Sequence, residues 1–318
     1  MTLPIASPPV AGNTALLAIG LAVGGSLLFS INDVMVKLLA GGYPLHQLML
    51  LRSLVGLTIL AGLLSCTRGG WSQLKMRRPG TQAIRVCVVL CSNLSYFLGL
   101  SLLPLADAVG LFYVTPVLIT LMSVAFLGER IGAHRIMACL LGLAGTVLLM
   151  RPGADSLRIE ALFVLASACF YATGQLLARS MRQTESALSL NFNVQMAFFG
   201  TSVVMGMVFG DGWAADGQGG VRDFLLRPWV WPPMTDFPLF IAGGFAVSIG
   251  GLMVAQAYRL QEAGLIAPFE YANIPMAIMW GVLIFGTFPD AVGFAGISLI
   301  AGAGLWTMWR ETIRRQQA

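Results

Sequence analysis

The sequence predicts an all-α membrane protein, with ten transmembrane helices arranged as two inverted five-helix repeats. Three observations lead there. Hydrophobic residues make up 57% of the 318-residue chain and charged residues only 10%, and the mean hydropathy is +0.80. A soluble domain needs about 25% charge to cover its surface. Soluble enzymes and nucleic-acid binders are therefore poor candidates, despite a net charge of +5. Second, the chain contains a series of apolar runs approaching the ~20 residues that a helix needs to cross the hydrocarbon core. Third, its two halves resemble each other in register.

The apolar runs are Leu16–Ala40, Leu48–Ser65, Ala83–Leu103, Ala106–Leu127, Arg135–Met150, Glu160–Arg179, Leu188–Phe209, Phe237–Tyr258, Gly264–Phe285 and Asp290–Trp309. The first carries Asp33 and Lys37, and no Lys or Arg precedes it. Both features speak for a spanning helix over a cleavable signal peptide. The small-residue pairs Gly20/Gly24, Gly142/Gly145 and Gly206/Gly210 are expected to seat neighbouring helices closely. The longest connection, Gly210–Asp236, holds Trp213, Trp229 and Trp231 and reads as an interfacial loop. The five cysteines are odd in number and contain no C-x-x-C, so they read as small buried hydrophobes.

Cationic residues set the orientation. With the amino terminus in the cytoplasm, the inside segments hold Arg68, Lys75, Arg77, Arg78, Arg85, Arg130, Arg135, Arg179, Arg182, Arg259, Arg310, Arg314 and Arg315. The outside loops hold only Arg151, Arg158, Arg222 and Arg227. This bias places both termini in the cytoplasm and requires an even number of spans.

The internal similarity aligns Pro116 with Pro275, Ile119 with Ile278, Phe126 with Phe285, Leu140 with Leu299, Ala144 with Ala303 and Gly145 with Gly304. A weaker match, at a different shift, sets Asp33 and Lys37 against Gln175 and Arg179. Five spans is an odd number, so the second half enters the membrane upside down. Inverted repeats are a transporter architecture, with substrate held near the midplane between the halves. The expected units are residues 15–150 and 160–311, with an external loop at 210–236 and a cytoplasmic tail at 312–318. Pro116 and Pro275, at matched places, are candidate hinges.

The run LPLADAVGLFYVTPVLITLMSVAFLGERIG (Leu103–Gly132) and its counterpart QEAGLIAPFEYANIPMAIMWGVLIFGTFPD (Gln261–Asp290) carry a family resemblance. The sequence resembles the drug/metabolite transporter superfamily, in its ten-helix group built from two EamA domains. The resemblance runs from about Ala15 to Glu311. Gly286-Thr287-Phe288-Pro289 departs from it, because many relatives keep an acidic residue after the glycine. It implies transport of metabolites, amino acids, vitamins or drugs and leaves the substrate open.

Ionisable residues at membrane depth are expensive and mark pathways. Asp33 and Lys37, four apart, share a face of the first span. Either they form a self-neutralising pair, with Lys37 reaching out to the interface, or Asp33 stands on the cavity wall with Ser26, Ser30 and Asn32 nearby. Arg52, about one turn into the second span, is expected to pair with Asp33 or to anchor a substrate carboxylate. His46 reads as an interface residue. Glu270, with Tyr271 and Asn273 after the helix-breaking Pro268, is expected to line the cavity and to bind a cation or a proton. The alternative is a hydrogen-bonded acid in a kinked helix. Asn93, Tyr96, Phe112, Tyr113 and Thr115 form a second polar–aromatic group. Tyr171, Gln175, Asn191, Asn193 and Gln195 offer further contacts. An acid that is dry in one access state and hydrated in the other changes its proton affinity between them. Glu270, with Asp33 as alternative, is thus the candidate coupling site and a proton the candidate coupling ion.

The sequence holds no H-E-x-x-H, no P-loop and no G-x-S-x-G. Neither a metal, a cofactor nor an enzymatic activity is expected. The leading expectation is a secondary active transporter working by alternating access in the plasma (inner) membrane. Its substrate would be a small polar, zwitterionic or aromatic metabolite such as an amino acid, a vitamin or cofactor, or a metallophore, with direction open. The alternatives are an intramembrane lipid-modifying enzyme and a channel or sensor. The cavity is expected among the first, third, fourth, sixth, eighth and ninth spans. The fifth and tenth would lie outside it, facing lipid or a second subunit in a homodimer.

Overall fold

A computed structural model describes residues 12–115, 117–119, 121–122, 133–150, 159–215, 217, 220–261 and 266–317. All regular structure among them is helical. In order the helices are α1 (Gly12–Leu39), α2 (Leu45–Cys66), α3 (Pro79–Leu102), α4 (Leu105–Phe112), α5 (Ala133–Met150), α6 (Ile159–Ser180), α7 (Ala187–Phe209), α8 (Gly220–Leu226), α9 (Phe237–Leu260), α10 (Asn273–Phe285) and α11 (Ala291–Gln317). Two 3-10 turns, Gly70–Leu74 and Ala267–Ala272, complete the path. Among the described residues six helices are long and apolar enough to cross a membrane: α1, α2, α3, α6, α7 and α9. Shorter apolar helices lie within three further expected spans, the fourth, ninth and tenth. The chain is a multi-pass membrane protein.

The ninth expected span is not one helix. Pro268 lies in the 3-10 turn, and α10 begins only at Asn273. A proline removes an amide donor and clashes with the preceding turn, so the tighter 3-10 geometry carries the chain past it. Pro275 sits in the first turn of α10, where its missing N–H leaves no bond unmade. Gly286 closes α10 at a φ of 62°, a left-handed cap that favours glycine. The candidate hinge Pro116 lies outside the described residues.

Helix α3 is capped at both ends by side chains from elsewhere. Glu185 accepts from the backbone amides of Arg77 and Arg78 at 2.7 and 3.2 Å. Lys37 Nζ donates to the carbonyls of Leu100 and Leu103 at 2.9 and 2.6 Å. Both satisfy groups a helix leaves orphaned at its ends, with the charge sign its dipole favours. Lys37 is therefore spent on α3, and neither neutralises Asp33 as a pair nor reaches out to the interface.

The helices pair lengthwise: α1 with α9, α3 with α6, α2 with α7, and α5 with α11. Glycines permit the closest crossings. A Cβ at Gly25 would lie 3.0 Å from the Gly250 carbonyl oxygen, and one at Gly99 3.0 Å from that of Glu160. One at Gly145 would lie 2.7 Å from Gly296 O on α11. Three expected glycine contacts turn out differently. Gly20 faces open space, Gly206 seats the ring of Trp229 rather than a neighbouring helix, and Gly210 lies nearest Gly206 of its own helix. The cysteines differ too: Cys66, Cys87, Cys91 and Cys169 lie on the outer surface, where an embedded chain meets lipid.

The loop after α7 is strapped across one end of α1 and α2. Gln47 pairs both ways with the Val230 backbone, donating to its carbonyl at 2.6 Å and accepting from its amide at 3.1 Å. Tyr43 donates to Asp236 at 2.6 Å and Arg227 to Gly41 O at 2.6 Å. Burial, with the Asp236 carboxylate beside it, pushes the Tyr43 hydroxyl up to about 12, so it stays a donor at ordinary pH. His46 lies beneath this loop, buried, bonded to Leu225 O at 3.0 Å and stacked on Trp229.

Candidate functional site

The paired helices leave a cavity of about 150 Å³ between them, lined by both polar and apolar side chains. Its walls come from α1, α3, α4, α6, α7, α9 and the region from the Ala267–Ala272 turn into α10. Asp33, Asn93, Tyr96, Phe112, Tyr113, Gln175, Glu270 and Asn273 all line it. Helix α7 also contributes, through Asn191, Val194, Gln195 and Phe198, although the seventh span was not among those expected. Among the described residues, none from α5 or α11 lines it.

Arg52 and Tyr271 lie behind the wall. Arg52 Nη1 donates to Asn32 Oδ1 at 2.8 Å, and its guanidinium packs 4.8 Å from the centre of the Phe97 ring. Asn32 donates at 3.4 Å to Asp33 Oδ1, and Tyr96 donates at 2.9 Å to Asp33 Oδ2. Arg52 thus reaches Asp33 through Asn32 and supports that carboxylate from outside the cavity. Tyr271 packs on Tyr113, with ring centres 5.5 Å apart, and donates to the Tyr113 carbonyl at 3.3 Å.

Glu270 occupies the opposite half of the chain's contribution. The Tyr171 hydroxyl donates to Glu270 Oε2 at 3.5 Å, a long bond, and Oε1 is buried with no partner. Phe112 stands between the two acid–tyrosine pairs, 5.1 Å from the Tyr96 ring and 5.3 Å from that of Tyr171. The aromatic surface is therefore continuous from Asp33 to Glu270.

Arg85 is a residue whose place the structure changes. It counts among the inside cations at the start of the Ala83–Leu103 run, but α3 begins at Pro79, so Arg85 lies well inside the helix. It is 7% exposed and lines the cavity. Its Nη1 donates to Leu190 O at 3.0 Å, while Nε has no partner. The signal available was Pro79 itself, a favoured first helical residue, which extends the third span toward the loop.

Four cavity-lining residues carry buried polar atoms without a protein partner: Arg85 Nε, Gln175 Oε1, Glu270 Oε1 and Asn273 Oδ1. Buried polar atoms are nearly always satisfied, so these four are free to bond a polar occupant; others, Arg52 Nη2 and the Tyr258 hydroxyl among them, lie off the cavity. Among the described residues no group of three His, Cys, Asp or Glu stands close enough to hold a metal.

Residues 16–151 match the EamA-like transporter family. The chain carries an EamA domain. That domain supplies Asp33, Arg85, Tyr96 and Phe112 to the cavity, and the rest of the chain supplies Tyr171, Gln175, Asn191 and Glu270. Full-length relatives agree with it. The chain is 24% identical to a riboflavin transporter of Rhizobium johnstonii over 82% of its length and 80% of the relative's. It is 27% identical to the pseudopaline exporter CntI of Pseudomonas aeruginosa, covering 89% and 93%. It is 23% identical to an S-adenosylmethionine uptake transporter of Rickettsia bellii, covering 94% and 97%. A solved crystal structure, 21% identical, superposes with a TM-score of 0.64 over 96% of this chain and 98% of that one, and so shares the fold.

Proposed function

We propose that this EamA-domain protein is a secondary active transporter of a small polar, zwitterionic or aromatic metabolite, working by alternating access. The observation that carries the proposal is the cavity itself: enclosed by both halves of the chain, aromatic-walled, and holding two acids and several unsatisfied polar atoms. Relatives named for riboflavin, pseudopaline and S-adenosylmethionine support the substrate range. They include an exporter and uptake systems, so they do not set the direction.

The packing supports two inverted repeats of five spans each, residues 15–150 and 160–311. The α1–α9 pair, which joins the first half to the second, has its counterpart in the α6–α3 pair, which joins them in the reverse sense. At one crossing Gly25 meets Gly250. At the other, Ser92 donates to Ser167 O at 3.0 Å and lies 3.1 Å from Ser167 Oγ. The shift from Gly25 to Ser167 equals that from Asp33 to Gln175, and the shift from Ser92 to Gly250 is within one residue of that from Pro116 to Pro275. Two halves of opposite orientation can exchange conformations at similar energy, giving outward-open and inward-open states. Pro116 and Pro275 are the proposed hinges, and α5 with α11, outside the cavity, the proposed dimer face. The loop at 210–236 is external, the tail at 312–318 cytoplasmic, and the membrane the inner one. Glu270, with Asp33 as alternative, couples transport to a proton.

The test is counterflow. Ligands are first found by thermal-shift screening of purified protein against a metabolite library, since a ligand stabilises by mass action. Proteoliposomes loaded with a hit should then take up its labelled form by saturable exchange. Uptake that never saturates points to a channel, and chemical conversion of the hit points to an enzyme. Either result removes the transporter proposal.

A further inference from the structure

We infer that Arg85 is the anion-binding group of this cavity, so that the transported metabolite carries a carboxylate held by the Arg85 guanidinium. The inference rests on the transporter reading above and narrows its substrate class. Arg85 is 7% exposed and lies on the cavity wall within α3. A guanidinium has five N–H donors in a planar fork that matches a carboxylate. One donor is used on Leu190 O, and Nε is buried with none. Among the described residues no carboxylate forms an ion pair with Arg85. A buried charge without a partner is strongly destabilising, and the remaining neighbour able to neutralise it is whatever fills the cavity.

The other buried arginine shows the contrast. Arg52 lies off the cavity, its face is covered by Phe97, and it bonds Asn32 beside Asp33. It has the surroundings of a structural cation, and the carboxylate-anchoring role expected of Arg52 falls to Arg85. Eleven residues separate Arg85 from Tyr96 on α3, about 16 Å at the helical rise. The cavity therefore has a cationic end at Arg85 and an acidic end where Tyr96 holds Asp33. Between them Tyr171 bonds Glu270 and lies within electrostatic reach of Arg85. A zwitterion, with its carboxylate on Arg85 and its ammonium toward an acid, complements this order of charges.

The experiment uses purified full-length protein and a matched panel: L-amino acids, their primary amides, which lack the carboxylate, and the corresponding desamino acids, which lack the ammonium. Binding is read by thermal shift and calorimetry. Wild type should bind at least one free acid about tenfold or more tightly than its amide, the margin expected of a charge-assisted bidentate contact. Arg85→Gln should erase that ratio. Because the Leu190 contact also ties α3 to α7, Arg85→Lys serves as the second variant. It keeps the charge, should fold, and should retain a reduced preference. Equal affinity for acid and amide, no binding of any free acid, or an unchanged ratio in both variants overturns the assignment. Counterflow separates the two levels. Saturable exchange of a carboxyl-free compound, indifferent to Arg85→Gln, leaves the transporter standing and removes the Arg85 subsite. Arg85-dependent carboxylate binding without exchange does the reverse.

Discussion

Glu270 is the residue whose protonation has the most to change, because one carboxylate oxygen has only a long bond to Tyr171 and the other has none. Asp33 is held by Tyr96 and Asn32, with Arg52 behind them. Those bonds tie its carboxylate into a fixed network. Glu270→Gln imitates the protonated acid, and is expected to keep counterflow while losing accumulation driven by a pH gradient. Wild type coupled to one proton should concentrate substrate by about tenfold per pH unit of gradient, and the variant should fall to near equality. An unchanged pH response would make Glu270 structural. Loss of binding itself would make it a substrate ligand first. Glu270 and Asp33 stood out in the sequence because carboxylates inside apolar runs are rare. Arg85 did not, because a cation at the edge of a run reads as a loop residue until the helix start is known.

At the scale of elements, two glycines on one helix make opposite demands. Gly25 sits where α1 crosses α9, with Gly250 O 3.0 Å from where its Cβ would be, whereas Gly20 faces open space. Gly25→Leu should lower the thermal melting temperature through an overpacking cost of about 1–3 kcal/mol. Gly20→Leu should leave it nearly unchanged. Equal melting of the two variants would mean that α1 and α9 do not cross as described. The sequence marked Gly20 and Gly24 alike as small residues, but which glycine touches a neighbour depends on the azimuth at which the helices meet. In the same way Trp229 was recognisable as interfacial, yet its seat on Gly206 and its stacking with His46 needed the strap to be folded.

For the whole molecule, orientation is the open quantity that a simple measurement decides. With Arg85 moved into α3, twelve of the thirteen cationic residues remain on the expected inside, against four outside. The positive-inside bias therefore still predicts cytoplasmic termini. In a cysteine-free background, an impermeant thiol reagent added outside cells should label Met234→Cys and spare Met76→Cys. Both side chains are exposed, at 85% and 45%, so access is not limited by burial. Labelling of position 76 with sparing of 234 would invert the topology.

The sequence alone determined that this chain is helical and embedded, because the cost of bare polar backbone in hydrocarbon leaves few other solutions. It also singled out most of the polar residues that converge on the cavity, since polar and charged groups at membrane depth persist only with a reason. Tertiary structure decided which of those groups face the cavity and which stand behind it. Lys37 went to the carbonyl end of α3, Arg52 to the ring of Phe97, and Arg85 to the cavity wall. A charge in a low-dielectric interior takes the partner that geometry brings within reach, and that geometry is set by helices distant in the chain.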